Sequence, residues 1–210
     1  MSRRNDVQVL LLLTTNYSLL TMANALYETS GGTRLLDPEF LLAQLDVRPD
    51  QRVADLGSGG GGHFTFPLAR RVGEAGMVYA VDVVPATLRG IRNRAGVENL
   101  KQIEPIHSNL EIIGATPIPP ESLDRALCVN VLFQNIHHDH ILKEAHRLLK
   151  SGGKLLVVDW KKDTGPVGPP ASRRVDMAQL QEVARAIGFD TGMEFNASQW
   201  HFGLILTKQS

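Results

Sequence analysis

Apolar and polar positions alternate in two distinct rhythms along this chain. Short, nearly continuous apolar runs at Arg52–Leu56, Met77–Val81, Leu100–Ile106, Leu123–Val129 and Lys154–Asp159 predict strands covered on both faces. Segments with helical spacing fall between them, at Phe64–Val72, Pro85–Ala95, Asp139–Leu149 and Met177–Ile187. Two last strand-like runs, Thr191–Asn196 and His201–Thr207, follow one another with no helix between, which predicts an antiparallel hairpin. The pattern as a whole predicts an α/β fold. It is a doubly wound, seven-stranded, mostly parallel sheet that ends in an antiparallel C-terminal hairpin.

Upstream of the first strand the rhythm is helical. One or two helices are expected over residues 5–28, and Gly31-Gly32 breaks the chain. Asp37-Pro38-Glu39 reads as a helix start, with Asp37 as N-cap and Pro38 in the first turn, running to about Leu45. Residues 1–45 are therefore expected to form an N-terminal helical cap segment on a cofactor-binding domain of residues 46–210. The start, Ser2-Arg3-Arg4 before Val9–Leu13, imitates a secretion signal, but the polar stretch Thr14–Ser18 interrupts it. The run is also too short to span a membrane. The expectation is a cytoplasmic protein. Its single cysteine, Cys128, lies in an apolar run and reads as a buried thiol in a reducing compartment.

Charge changes the picture little. The 22 basic and 22 acidic side chains in 210 residues balance, so there is no strong nucleic-acid signal. The local basic spots, Arg173-Arg174 among them, read as solvated faces.

The chemistry concentrates in Val53-Ala54-Asp55-Leu56-Gly57-Ser58-Gly59-Gly60-Gly61-Gly62, a strand that ends in a glycine-rich turn and opens a helix. Such a turn lets backbone approach a nucleotide cofactor, and the following helix start offers unpaired N–H groups. Gly57-x-Gly59-x-x-Gly62, with Asp82 closing the next strand, fits a dinucleotide site and a nicotinamide-dependent oxidoreductase. Asp55 adds a carboxylate that such a site has no use for; it can orient the turn or cap the loop. A non-catalytic module that keeps the cofactor fold is a third reading.

Asp55-x-Gly57-x-Gly59-x-Gly61 resembles the first motif of class I S-adenosylmethionine-dependent methyltransferases, which have a Rossmann-like fold. Val78–Asp82 is similar to the family's second motif, in which the acidic residue binds the cofactor ribose. His107–Leu110 stands where the family contacts adenine, with Asn109 in place of the usual Asp. Leu123–Leu132 is similar to the fourth strand and its following loop, and Glu144–Leu155 to the helix-turn-strand segment before the fifth. The nearest types are small-molecule methyltransferases of quinone biosynthesis and arsenite methylation, although a lone Cys128 speaks against arsenic.

The resemblance implies S-adenosyl-L-methionine as cofactor and methyl transfer to a small or medium-sized acceptor by in-line displacement. It implies cofactor contacts from Asp55, Gly57, Ser58, Gly59, Gly61, Asp82, Val83, Asn109, Leu110 and Asn130. His63, directly after the glycines, is the candidate catalytic side chain, with a first-turn polar cap as its alternative. Phe133 and Trp160 are candidates for an apolar wall near the sulfonium, or plain core. Arg34 is a candidate partner of the cofactor carboxylate, or an exposed loop charge. The Gly165–Pro170 loop is expected over the substrate site. His137-His138-Asp139-His140 lacks the spacing of a zinc site, and no metal is expected.

Overall fold

The computed structural model describes residues 19–28, 31–163 and 165–210. The expected helix over residues 5–18 lies outside them. Residues 19–28 are helical (α1). Then follow α2 (Pro38–Gln44), β1 (Arg52–Leu56), α3 (Thr65–Val72), β2 (Met77–Asp82), α4 (Pro85–Val97) and β3 (Ile103–His107). The second half runs β4 (Leu123–Val129), α5 (His138–Leu148), β5 (Leu149–Trp160), α6 (Met177–Ile187), β6 (Phe189–Asn196) and β7 (His201–Lys208).

The seven strands form one sheet in the order β3-β2-β1-β4-β5-β7-β6. Six run in the same direction, and β7 enters antiparallel between β5 and β6. Period-2 alternation sends Ala54 and Leu56 of β1 to one face with α5 and α6, and Val53 to the other with α2, α3 and α4. The chain moves outward from β1 in one direction, then returns to start β4 on its other side. That reversal opens a crevice beyond the C-terminal ends of β1 and β4.

Local chemistry sets the element ends. Asp37 Oδ1 accepts from the Glu39 and Phe40 amides at 3.0 and 3.5 Å, a cap worth about 1 kcal/mol. Asp176 caps α6 through the Gln179 amide at 3.1 Å. Three strands begin away from their expected starts, β6 by only two residues, at Phe189 in place of Thr191. β3 starts at Ile103, not Leu100, because Asn99 takes a left-handed φ of 53° and the Leu100 amide still bonds back to Ala95, closing α4. β5 starts at Leu149, not Lys154, because a bulge at Gly152, φ 73°, lets the chain rejoin β4 on both sides of the kink. No helix among the described residues is long and apolar enough to cross a membrane.

Candidate cofactor and substrate site

The turn after β1 is pinned from below. The Gly57 and Ser58 amides both donate to the Val81 carbonyl, at 2.9 and 3.0 Å. Gly57 has φ 84°, and a Cβ there would lie 2.4 Å from the Val131 side chain. Gly62 has φ 56°, and its Cβ would lie 2.7 Å from the Phe66 ring. These two glycines are demanded by the protein's own packing. A Cβ on Gly59, Gly60 or Gly61 would meet nothing within 4 Å, so backbone there faces open space.

Asp55 sits behind this turn, buried, with Oδ2 accepting from the Thr65 hydroxyl at 2.6 Å. It therefore ties the end of β1 to the first turn of α3. Burial lifts its pKa to about 6, against the pull of the Thr65 hydrogen bond.

Asp82 closes the lip. Its Oδ2 accepts from the Gly59 amide at 3.0 Å, and its Oδ1 from the Val84 amide at 2.8 Å. The next loop starts alongside, with the Ser108 amide donating to the Asp82 carbonyl at 3.1 Å. Asn109 Oδ1 accepts from the Glu111 amide at 2.9 Å, forming a local turn that fixes the loop carrying Leu110. From below, the buried Glu144 carboxylate holds the same loop. It accepts from the Gly114 and Thr116 amides at 2.7 and 3.1 Å and pairs with Arg147 at 2.8 Å. Those donors hold its pKa down at about 2, against its burial.

The opposite wall comes from the end of β4. Asn130 takes a left-handed φ of 55°, and its amide donates to the Val158 carbonyl at 2.8 Å. Its Nδ2 donates to the Gly31 carbonyl at 3.1 Å, while its Oδ1 is buried with no partner among the described residues. A buried carbonyl oxygen left unpaired at the edge of a cleft is a ready acceptor. The short 3₁₀ turn that follows, Leu132–Gln134, is held by Asp159 at the end of β5. Asp159 Oδ2 accepts from the Leu132 and Phe133 amides at 3.0 and 3.2 Å, and its Oδ1 from the Trp160 amide at 2.8 Å. Burial lifts the Asp159 pKa to about 7, with those three amides pulling the other way.

Between the walls lies a cleft of about 760 Å³, large enough for a nucleotide-sized cofactor. Of the residues expected at a cofactor, Gly57, Gly59, Asp82, Val83, Asn109, Leu110 and Asn130 line it. Ser58, Gly61, His63 and Arg34 do not line it; they line a cavity of about 610 Å³ that shares Thr33, Gly59 and Gly60 with the cleft. The His63 ring nitrogen lies 3.1 Å from the Leu36 carbonyl, so the candidate catalytic side chain is not brought to the cleft. Phe133 lines the cleft. Trp160 does not: it is fully buried, edge-on to Tyr27 at 5.5 Å and packed beneath Gly32 and Gly168. Tyr27 and Glu28 of α1 and Thr33 also reach the cleft, although sequence reasoning did not single them out. Nothing in their local pattern marks them, since only the tertiary fold carries the N-terminal segment over the sheet edge.

A parallel sheet with an antiparallel strand inserted before its last member, a glycine turn after β1 and an acid at the end of β2 define the class I methyltransferase fold. An all-parallel dinucleotide sheet has no such inserted strand. Residues 54–157 match the family model described as a methyltransferase domain. The chain is 32% identical over 142 residues to the ubiquinone/menaquinone biosynthesis C-methyltransferase UbiE of Bordetella avium, covering 67% of this chain and 53% of that protein. It is 32% identical over 160 residues to UbiE of Escherichia coli, covering 74% and 60%. The match thus spans little more than half the length of these relatives. The crystal structure of a SAM-dependent methyltransferase from Aquifex aeolicus superposes with a TM-score of 0.75 at 24% identity, covering 90% of this chain and 97% of that one. The chain belongs to the class I S-adenosylmethionine-dependent methyltransferases, is similar to members of quinone biosynthesis, and takes S-adenosyl-L-methionine as its cofactor.

Proposed function

We propose that this chain transfers a methyl group from S-adenosylmethionine to a small-molecule acceptor. The carrying observation is the convergence, in one cleft at the sheet's switch point, of open glycine backbone, the Asp82 carboxylate and the unpaired Asn130 Oδ1. These groups suit the cofactor's parts. Asp82 presents acceptor oxygens to ribose hydroxyls, beside the exposed Val83. Asn109 and Leu110 meet the base. Asn130 Oδ1 accepts from the ammonium of the amino-acid moiety. Bound there, the cofactor supplies an activated methyl on a sulfonium.

What remains for the chain is alignment of the acceptor and exclusion of water. Good alignment alone is worth on the order of 7–11 kcal/mol of barrier. The N-terminal cap, residues 1–45, is assigned the covering role: Tyr27, Glu28, Gly31 and Thr33 already border the cleft. With His63 outside the cleft lining, acceptor activation falls to the acceptor's own acidity, as for a stabilised carbanion or an enol. The lone buried thiol, Cys128, suits residence in the cytoplasm.

The test is incubation with methyl-labelled cofactor and metabolite extract, followed by mass spectrometry of labelled products. A small labelled molecule that requires Asp82 supports the proposal. Label found only in protein or nucleic acid contradicts it.

A further inference from the structure

A second cavity, of about 850 Å³, adjoins the cofactor cleft, and Phe133, Gln134, Asn135 and Arg173 border both. Its remaining lining comes from the start of α5, the 161–176 loop and one face of α6. None of it is glycine turn, Asp82 or adenine loop. Arg173 is the one charged residue among the four at that seam.

The two adjacent arginines of this loop do opposite things. Arg174 is buried, and its guanidinium donates to four backbone carbonyls: Pro169 at 2.9, Lys162 at 2.9, Gly165 at 2.9 and Val167 at 3.0 Å. It is the internal clamp of the loop, not a solvated charge. Arg173, next to it, is exposed, and its side chain has no hydrogen bond or ion pair among the described residues. Other charges on this cavity are matched: Lys162 pairs with Asp176 at 2.6 Å, and Asp139 with Lys143 at 2.8 Å. Among the described residues Arg173 is thus a cation without a partner, mounted on a clamped backbone at the seam between the two cavities. The wall around it is partly apolar, from Phe133, Val175, Leu180 and Val183.

We infer that the acceptor is amphipathic, with an apolar body and an anionic group, and that Arg173 holds that anion. Guanidinium geometry suits a carboxylate or phosphate held by two parallel N–H donors. This inference rests on the proposed methyl transfer for the meaning of "acceptor". The predicted contact itself is independent of it.

The test uses 2-naphthoate and its neutral amide as probes, titrated onto protein with and without saturating S-adenosylhomocysteine. The acid is expected to bind at least about ten-fold more tightly than the amide. Arg173→Gln should abolish that preference, and Arg173→Lys should restore part of it. S-adenosylhomocysteine affinity should stay within about two-fold in both variants. Equal binding of acid and amide, no binding of the acid, or an unchanged preference in Arg173→Gln would overturn the inference. So would a variant that loses S-adenosylhomocysteine while keeping 5′-methylthioadenosine, which lacks the amino-acid moiety; Arg173 would then serve the cofactor's carboxylate. Failure of wild-type protein to bind S-adenosylhomocysteine would instead strike the proposed function, with the acid–amide comparison on free protein still reading Arg173.

Discussion

The Asp82 carboxylate is hydrogen-bonded to the Gly59 amide at 3.0 Å across 23 residues of chain, which fastens the end of β2 to the open part of the glycine turn. One side chain thereby shapes the turn and presents oxygen to the cleft. Asp82→Ala removes both functions. Hydrogen bonds to a charged group contribute about 1.5–3 kcal/mol, so cofactor affinity should fall roughly 10- to 100-fold. Asp82→Asn keeps one acceptor oxygen and should fall less. Calorimetric titration of both variants checks the order, with thermal melting to confirm that each is folded.

The four consecutive glycines are not equivalent. Gly62 combines φ 56° with a Cβ position 2.7 Å from Phe66, so Gly62→Ala should destabilise the fold by about 2 kcal/mol or more. Gly61→Ala meets open space and should change stability by less than about 0.5 kcal/mol. Urea denaturation of the two variants tests this directly. Similar losses would mean that the turn's packing is misassigned.

Glu144 should be a stability residue with an effect at the adenine loop. Removing one partner of a buried ion pair costs about 3–5 kcal/mol, and Glu144→Gln leaves Arg147 and two loop amides short of a charged acceptor. The Glu144 pKa is depressed to about 2. Its stabilisation is therefore present above the unfolded value near 4.5 and is lost as pH falls through 2. The wild-type advantage over Glu144→Gln should shrink on acidification from pH 5 to 2, read from denaturation midpoints.

Asp159 predicts the opposite pH sense. Its folded pKa of about 7 lies above the unfolded value near 4, so its contribution is fully present below pH 4 and is lost as pH rises through 7. Asp55, at about 6, acts in the same sense. His201, pushed down to about 3 by burial, acts against both: its contribution is present above pH 6.5 and is lost on acidification. Comparison with Asp159→Asn cancels the Asp55 and His201 contributions. Between pH 4 and 7 wild-type stability should decline relative to Asp159→Asn, by at most about 1.4 kcal/mol per pH unit, and level off above pH 7. A flat difference in urea midpoints would contradict it.

Much of this was legible along the chain. β1, β4 and α6 occupy Arg52–Leu56, Leu123–Val129 and Met177–Ile187, because apolar periodicity and flanking glycines or caps agree there. The spacing of the glycine turn and Asp82 fits more than one cofactor, and Gly57, Gly59 and Asp82 do line the cleft. Other features depend on contacts distant in sequence. The role of Gly62 is set by Phe66, and the clamp at Arg174 by carbonyls that converge only once the loop has folded. Trp160 reads from sequence as a wall residue or plain core, and its burial under Gly32 decides for core. Asp159 gives no local signal at all, since its partners are the amides of Leu132 and Phe133 on another loop.

The most direct measurement is titration calorimetry of the wild-type protein and Asp82→Ala with S-adenosylmethionine. Single-site binding to wild type that weakens at least ten-fold in the variant is predicted. No binding to wild type, or equal binding to both, would contradict a cofactor held at the Gly59–Asp82 lip.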